Sequence, residues 1–189
     1  MKDRKKILFV ADPLNSLKKE TDTSLALAEV ALARGWQSIW CEPRDVVYFN
    51  KEIAVYNPHR MLLSEFDFCF VRKDPPFDEE YKDLCWILAS QDKVPIINSA
   101  EALLKYHEKS LPWKALSEGV LHEDNIIPTC LSNSIDVIND FCTENNLTKI
   151  ICKPWLGHGG EDVTLFESKA HLLKHLQEKN KLGKMHRVL

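Results

Sequence analysis

Short apolar runs bounded by Asp, Asn, Gly or Pro alternate along this chain with longer segments of helical spacing. Lys6 to Ala11 contains Ile-Leu-Phe-Val and predicts a buried parallel strand, ended by Asp12-Pro13. Residues 14–21 are polar and read as a loop. Asp22, Thr23 or Ser24 can cap a helix over 24–34, which is dense in Ala and Leu. Gly35 stands at its C′ position, and Gln37 to Cys41 reads as a second strand. A strand, a helix, a glycine turn and a strand make a βαβ unit with a right-handed crossover and parallel strands.

Residues 45–49 and 52–56 flank Asn50-Lys51 and predict a hairpin. Phe66 to Val71 is another buried strand, ending at Arg72. The double proline in Arg72-Lys73-Asp74-Pro75-Pro76-Phe77-Asp78 sets a rigid extended turn. Asp78 can cap a helix over 79–90, where Tyr81, Leu84, Cys85 and Leu88 follow helical spacing. Val94 to Ile97 predicts a fourth strand, followed by a helix from Asn98-Ser99 to about Tyr106. Beyond it come a helix over 109–118, an extended entry at Pro128-Thr129-Cys130, a helix over 134–145 and a strand over 148–152. A glycine loop, a strand over 163–166 and a helix over 168–180 complete the pattern. The basic last stretch (Lys179, Lys181, Lys184, Arg187) is expected to fray. Near residue 107 the pattern changes from a doubly wound α/β unit with a mainly parallel sheet to an α+β mixture with no evident core of its own.

Composition narrows the function classes. The chain has 189 residues, 44% hydrophobic and 28% charged, an ordinary globular balance for one large domain or two small ones. A formal net charge of −3 removes the electrostatic case for nucleic-acid or membrane binding. No apolar run approaches the roughly 20 residues of a membrane span. The charged start, Lys2 to Lys6, leads straight into a strand with no signal-peptide pattern. The six cysteines are scattered without a Cys-x-x-Cys, so buried reduced thiols, a cytoplasmic setting and no structural zinc are expected.

Three places carry candidate chemistry. Lys153-Pro154 is followed by Gly157, Gly159 and Gly160, half of the six glycines. Clustered glycines let N–H groups converge on a phosphate, and a lysine at the loop's root supplies matching charge. A plain hairpin turn with a solvated lysine is the alternative, and His158 is either a phosphate contact or a loop residue. Asp12-Pro13 and Arg72-Lys73-Asp74 fall at strand carboxyl ends, where open α/β sheets bind ligands. Arg72 can hold a substrate carboxylate through its planar fork, or pair with Asp74 or Asp78 to hold the turn. Asp12 can accept from an ammonium or amide, or serve only as a turn residue before proline. Lys109 alone reads as an exposed helix lysine. His171 and His175 form an i, i+4 pair without an acidic third ligand in a recognisable motif, the other histidines show no shared metal geometry, and no serine or cysteine nucleophile motif occurs.

In their order these pieces resemble the amino-terminal portion of bacterial glutathione synthetase, an ATP-grasp ligase family. The matching residues are Asp12-Pro13, Asp22-Thr23-Ser24, the run Arg72 to Asp78, Glu108-Lys109, Pro128-Thr129 and Lys153-Pro154 with Gly157, Gly159 and Gly160. The resemblance implies a pre-ATP-grasp domain over 1–106 and the first part of an ATP-grasp lobe over 107–189. It implies ATP with Mg2+ as cofactors. Lys109, Lys153, Gly157, His158, Gly159 and Gly160 would then contact the nucleotide, and Asp12, Ser24, Arg72 and Asp74 would help bind γ-glutamylcysteine. The family's chemistry makes an acyl phosphate that glycine displaces, through positioning and charge neutralisation, with no protein nucleophile.

The chain departs from the family pattern at His107, Leu156 and Ser99-Ala100, where asparagine, aspartate and a proline are usual. The family's hinge strand, substrate arginines and magnesium ligands find no counterpart, so the expectation is a chain inactive alone, with no metal ligand and no catalytic residue of its own. Two alternatives stand beside the ligase reading: a non-catalytic module binding a nucleotide or γ-glutamyl peptide, and one subunit of a split ligase with a complementary carboxyl-terminal chain. A homo-oligomer is compatible with each.

Overall fold

A computed structural model describes residues 4–157, 160–180 and 186–188. The chain divides between His107 and Glu108 into two compact units.

The first unit runs β1 (Lys6–Ala11), α1 (Thr23–Ala33), β2 (Gln37–Cys41), β3 (Val46–Phe49), β4 (Glu52–Tyr56), β5 (Arg60–Leu62), β6 (Phe68–Arg72), α2 (Glu79–Ala89), β7 (Ile96–Ile97) and α3 (Ala100–Lys105). Its main sheet is wholly parallel in the order β2-β1-β6-β7. Alternation along β1 builds a core on each face. Ile7 and Phe9 face Ala31 of α1, while Leu8 and Val10 join Val71, Leu84 and Leu88. Trp40, Phe9 and Phe70 stand opposite one another across three strands and stack, with centroids 5.3 and 5.4 Å apart. The helical spacing read in α2 is realised, since Tyr81, Leu84, Cys85 and Leu88 are all buried.

Of the three candidate caps for α1, Asp22 does the capping, accepting from the Ser24 and Leu25 N–H groups at 2.7 and 2.9 Å. Gly35 follows with φ +75°, as a left-handed C′ residue requires. The hairpin about Asn50-Lys51 forms with φ values of 50° and 70°, and β5 extends it to a three-stranded antiparallel sheet. The strand expected over Val94–Ile97 is shortened to β7. The Gln91 side chain accepts from the Lys93 and Val94 N–H groups, so Val94 satisfies its backbone outside the ladder.

The second unit runs α4 (Leu111–Ser117), β8 (Cys130–Ser132), α5 (Ile135–Glu144), β9 (Ile150–Pro154), β10 (Thr164–Phe166), α6 (Lys169–Asn180) and β11 (His186–Val188). Two expectations are corrected here. This unit does close its own core, of Ile138, Cys142, Ile150, Cys152, Phe166, Leu172 and Leu176. It was hidden because the apolar positions are spread over two amphipathic helices and short strands. Of the basic last stretch, Lys181 and Lys184 lie outside the described residues, while Arg187 stands in β11, which inserts between β8 and β9, antiparallel to both. Backbone pairing places it, which a charged composition does not reveal. β9 also runs to Pro154, opposite His186, so Lys153 lies within the ladder.

Candidate functional site

The carboxyl ends of β1 and β6 lie side by side, Ala11 opposite Arg72, where the strand order reverses. Such a switch point leaves a crevice for ligands. The amino terminus of α1 reaches the same place. Arg72 donates from Nε to the Ser24 hydroxyl at 3.1 Å and from Nη2 to the Thr23 hydroxyl at 2.5 Å. Two hydroxyls hold it, and among the described residues neither Asp74 nor Asp78 forms an ion pair with it. Asp12 accepts from Lys73 Nζ at 2.9 Å and from the Asp74 N–H at 2.7 Å, which fixes the turn after β6. Lys73 also donates to the Asp74 carbonyl at 2.9 Å. Asp12, Ser24, Arg72 and Asp74 are thus brought together in one cluster, and sequence reading missed two members, Thr23 and Lys73. Both stand inside quoted motifs, but nothing local signals a partner 49 or 61 residues away in the chain.

Tyr81 packs beneath this cluster against Phe77, with centroids 4.9 Å apart. Its phenol is pushed up to about 12, chiefly by burial, then by Cys85, with Arg72 acting in the opposite direction and Asp74 and Asp12 adding to the rise. It therefore stays neutral at neutral pH.

In the second unit, Glu108, Lys109, Lys153, Pro154, Gly157, Gly160, Glu161 and Val163 line a recess of about 170 Å3. β9 and β10 are antiparallel neighbours, so the glycine segment is a hairpin connection. It also carries a charged recess at its root. Lys109 Nζ donates to the Gly157 carbonyl at 2.6 Å and pairs with Glu108 at 3.1 Å. Its side chain is only 11% exposed, unlike a solvated helix lysine. Trp113 of α4 stacks in parallel with Trp155 beside the loop, with centroids 6.0 Å apart. A Cβ on Gly157 would lie 2.5 Å from Pro154 Cγ, and Gly160 has φ +80°. His158 and Gly159 lie outside the described residues.

The six cysteines are reduced thiols. Burial pushes the thiol of Cys69 up to about 12 and that of Cys85 up to about 11, so these two side chains behave as small apolar groups. Among the described residues, no three histidine, cysteine or acidic side chains converge to hold a metal. No described helix is long and apolar enough to cross a membrane.

Comparison with known proteins adds the following. The family profile described as prokaryotic glutathione synthetase, N-terminal domain, matches residues 6–103. The glutathione synthetase of Parasynechococcus marenigrum (strain WH8102) is 31% identical over 188 residues, which cover 90% of this chain and 58% of that protein. That of Pseudomonas putida is 29% identical over 174 residues, covering 82% of this chain and 52% of that protein. This chain spans little more than half the length of these curated relatives. Among solved structures, a RimK domain ATP-grasp protein from Sphaerobacter thermophilus superposes with a TM-score of 0.64 at 17% identity, covering 97% of this chain and 62% of that one. At that identity the likeness shows the fold, which is the α/β architecture of ATP-grasp proteins.

Proposed function

Because the chain belongs to the prokaryotic glutathione synthetase family, matched through its N-terminal domain, we propose that its two units hold two substrates of an ATP-dependent ligation. The first unit takes γ-glutamylcysteine and the second takes ATP. In this reading the γ-phosphoryl group passes to the cysteinyl carboxylate, giving ADP and an acyl phosphate. The amine of glycine then attacks the acyl carbon, the bond to phosphate breaks, and glutathione, phosphate and a proton leave.

The observation that carries the reading is the convergence of Lys109 and Lys153 with Gly157 and Gly160 on one recess. Two ammonium groups there supply charge for phosphates, and glycines without a Cβ let a phosphate come close to the backbone. Lys109 holds the Gly157 carbonyl at 2.6 Å, and a phosphate oxygen is a stronger acceptor for the same proton. In the first unit, Arg72 binds a substrate carboxylate with Ser24 beside it, and Asp12 keeps the Asp74 turn in place. These residues bind and orient, which is the main contribution a protein makes to phosphoryl transfer.

Magnesium is implied together with ATP. Among the described residues no three histidine, cysteine or acidic side chains gather to hold it, and a magnesium ion that arrives with ATP is held mainly by the phosphates and water.

Isothermal titration of the chain with Mg–ATP tests the reading. Binding is expected, weakened about tenfold or more by Lys153→Ala, as loss of a charge-assisted contact implies. Absence of binding by the unaltered chain, or undiminished binding by Lys153→Ala, would overturn it.

A further inference from the structure

The two hydroxyls at the start of α1 do more than neighbour Arg72. A guanidinium carries five N–H groups in a fixed plane. Its Nε–H and the adjacent Nη2–H form one edge, and the outer Nη1–H and Nη2–H form another. Ser24 accepts from Nε at 3.1 Å and Thr23 accepts from Nη2 at 2.5 Å, so consecutive hydroxyls span the first edge. Ser24 is 3% exposed, the one buried polar residue among the described residues. Its backbone N–H is tied to the Asp22 carboxylate at 2.7 Å. The turn after Arg72 is tied in its turn by Asp12, through the Asp74 N–H and Lys73 Nζ.

We propose that Thr23 and Ser24 are positioning residues that lock Arg72 by its inner edge and leave its outer edge for end-on, two-pronged recognition of a planar carboxylate. The proposal rests on the reading of this crevice as the place of a carboxylate substrate. It adds the direction from which that carboxylate is held, and it assigns a role to Thr23. A lysine cannot reproduce the arrangement, because an ammonium has no second edge. Nor can a guanidinium freed from the hydroxyls, because it must then spend rotamer freedom to bind.

The test is calorimetric titration of the chain with γ-glutamylcysteine, using unaltered protein, Arg72→Ala, Thr23→Val and Thr23→Ser. Thr23 is exposed at the first turn of α1, and valine keeps its shape without its hydroxyl. Thr23→Val is expected to weaken binding about tenfold, the loss typical of a hydrogen bond to a charged group, with thermal unfolding unchanged. Thr23→Ser, which restores the acceptor, is expected to bind like the unaltered chain. Unaltered binding by Thr23→Val, or failure of Thr23→Ser to restore it, overturns the positioning role alone if Arg72→Ala abolishes binding. If the unaltered chain does not bind, or Arg72→Ala binds equally well, the reading of the crevice falls and the positioning role falls with it.

Discussion

A methyl group on residue 157 would sit 2.5 Å from Pro154 Cγ, closer than real Cβ atoms come. Gly157→Ala must therefore push the loop away from the proline ring, at about 1–3 kcal/mol by the usual scale of overpacking. Weaker binding of Mg–ATP in a fluorescence competition titration is the expected result. Gly160 is different, since a side chain there meets no atom within 4 Å and the obstacle is its φ of +80°. A second residue-scale expectation concerns pH. Burial raises the thiol of Cys69 to about 12, and that of Cys41 goes higher still. Groups raised in the folded state contribute stability that is fully present below the unfolded thiol value, near 8.5. It is lost as pH rises through the window above that value, by up to about 1.4 kcal/mol per pH unit for each thiol. Urea midpoints are thus expected to fall between pH 8 and pH 10, and Cys69→Ala to flatten that fall. At this scale the gathering of Lys153, Gly157 and Gly160 about one recess was legible in the sequence, because the three stand close together in the chain. Thr23 and Lys73 were not, because their partners arrive from a strand end 49 and 61 residues away.

Among the elements, α1 shows most clearly what local pattern can and cannot say. Its abundance of Ala and Leu announced a helix, and Gly35 announced its end. Its apolar residues lie on every side, however, with Leu27, Val30 and Leu32 exposed and Ser24 and Ala31 buried. Only packing shows that the buried face is the one that carries Ser24 toward Arg72. Asp22→Ala removes the cap and is expected to cost about 1 kcal/mol in urea unfolding. It should also weaken γ-glutamylcysteine binding, because Thr23 and Ser24 follow the cap directly. The β3–β4 turn gives the opposite sign. Lys51 sits at φ 70°, a conformation that costs a residue with a Cβ about 1 kcal/mol. Lys51→Gly is expected to raise stability by roughly 0.5–1 kcal/mol in the same urea assay. The β11 strand was illegible for a related reason, since pairing between strands far apart in sequence leaves no mark on composition.

On the scale of the whole molecule, each unit has its own core and its own cluster of candidate site residues. The parallel sheet of the first unit was readable from its apolar runs, and the change of pattern near residue 107 marked where the second begins. The second unit's core was not readable, because it is assembled from half-faces of α5 and α6 over short strands. The proposed division of labour puts the carboxylate substrate on the first unit and the nucleotide on the second. Hydrogen–deuterium exchange of the chain, with each ligand added separately, tests it most directly. Mg–ATP is expected to slow exchange in 108–117 and 150–166, and γ-glutamylcysteine in 12–25 and 72–81. Protection of the β1 and β6 ends by Mg–ATP with none around Lys109 and Lys153, or no protection by either ligand, would contradict the account.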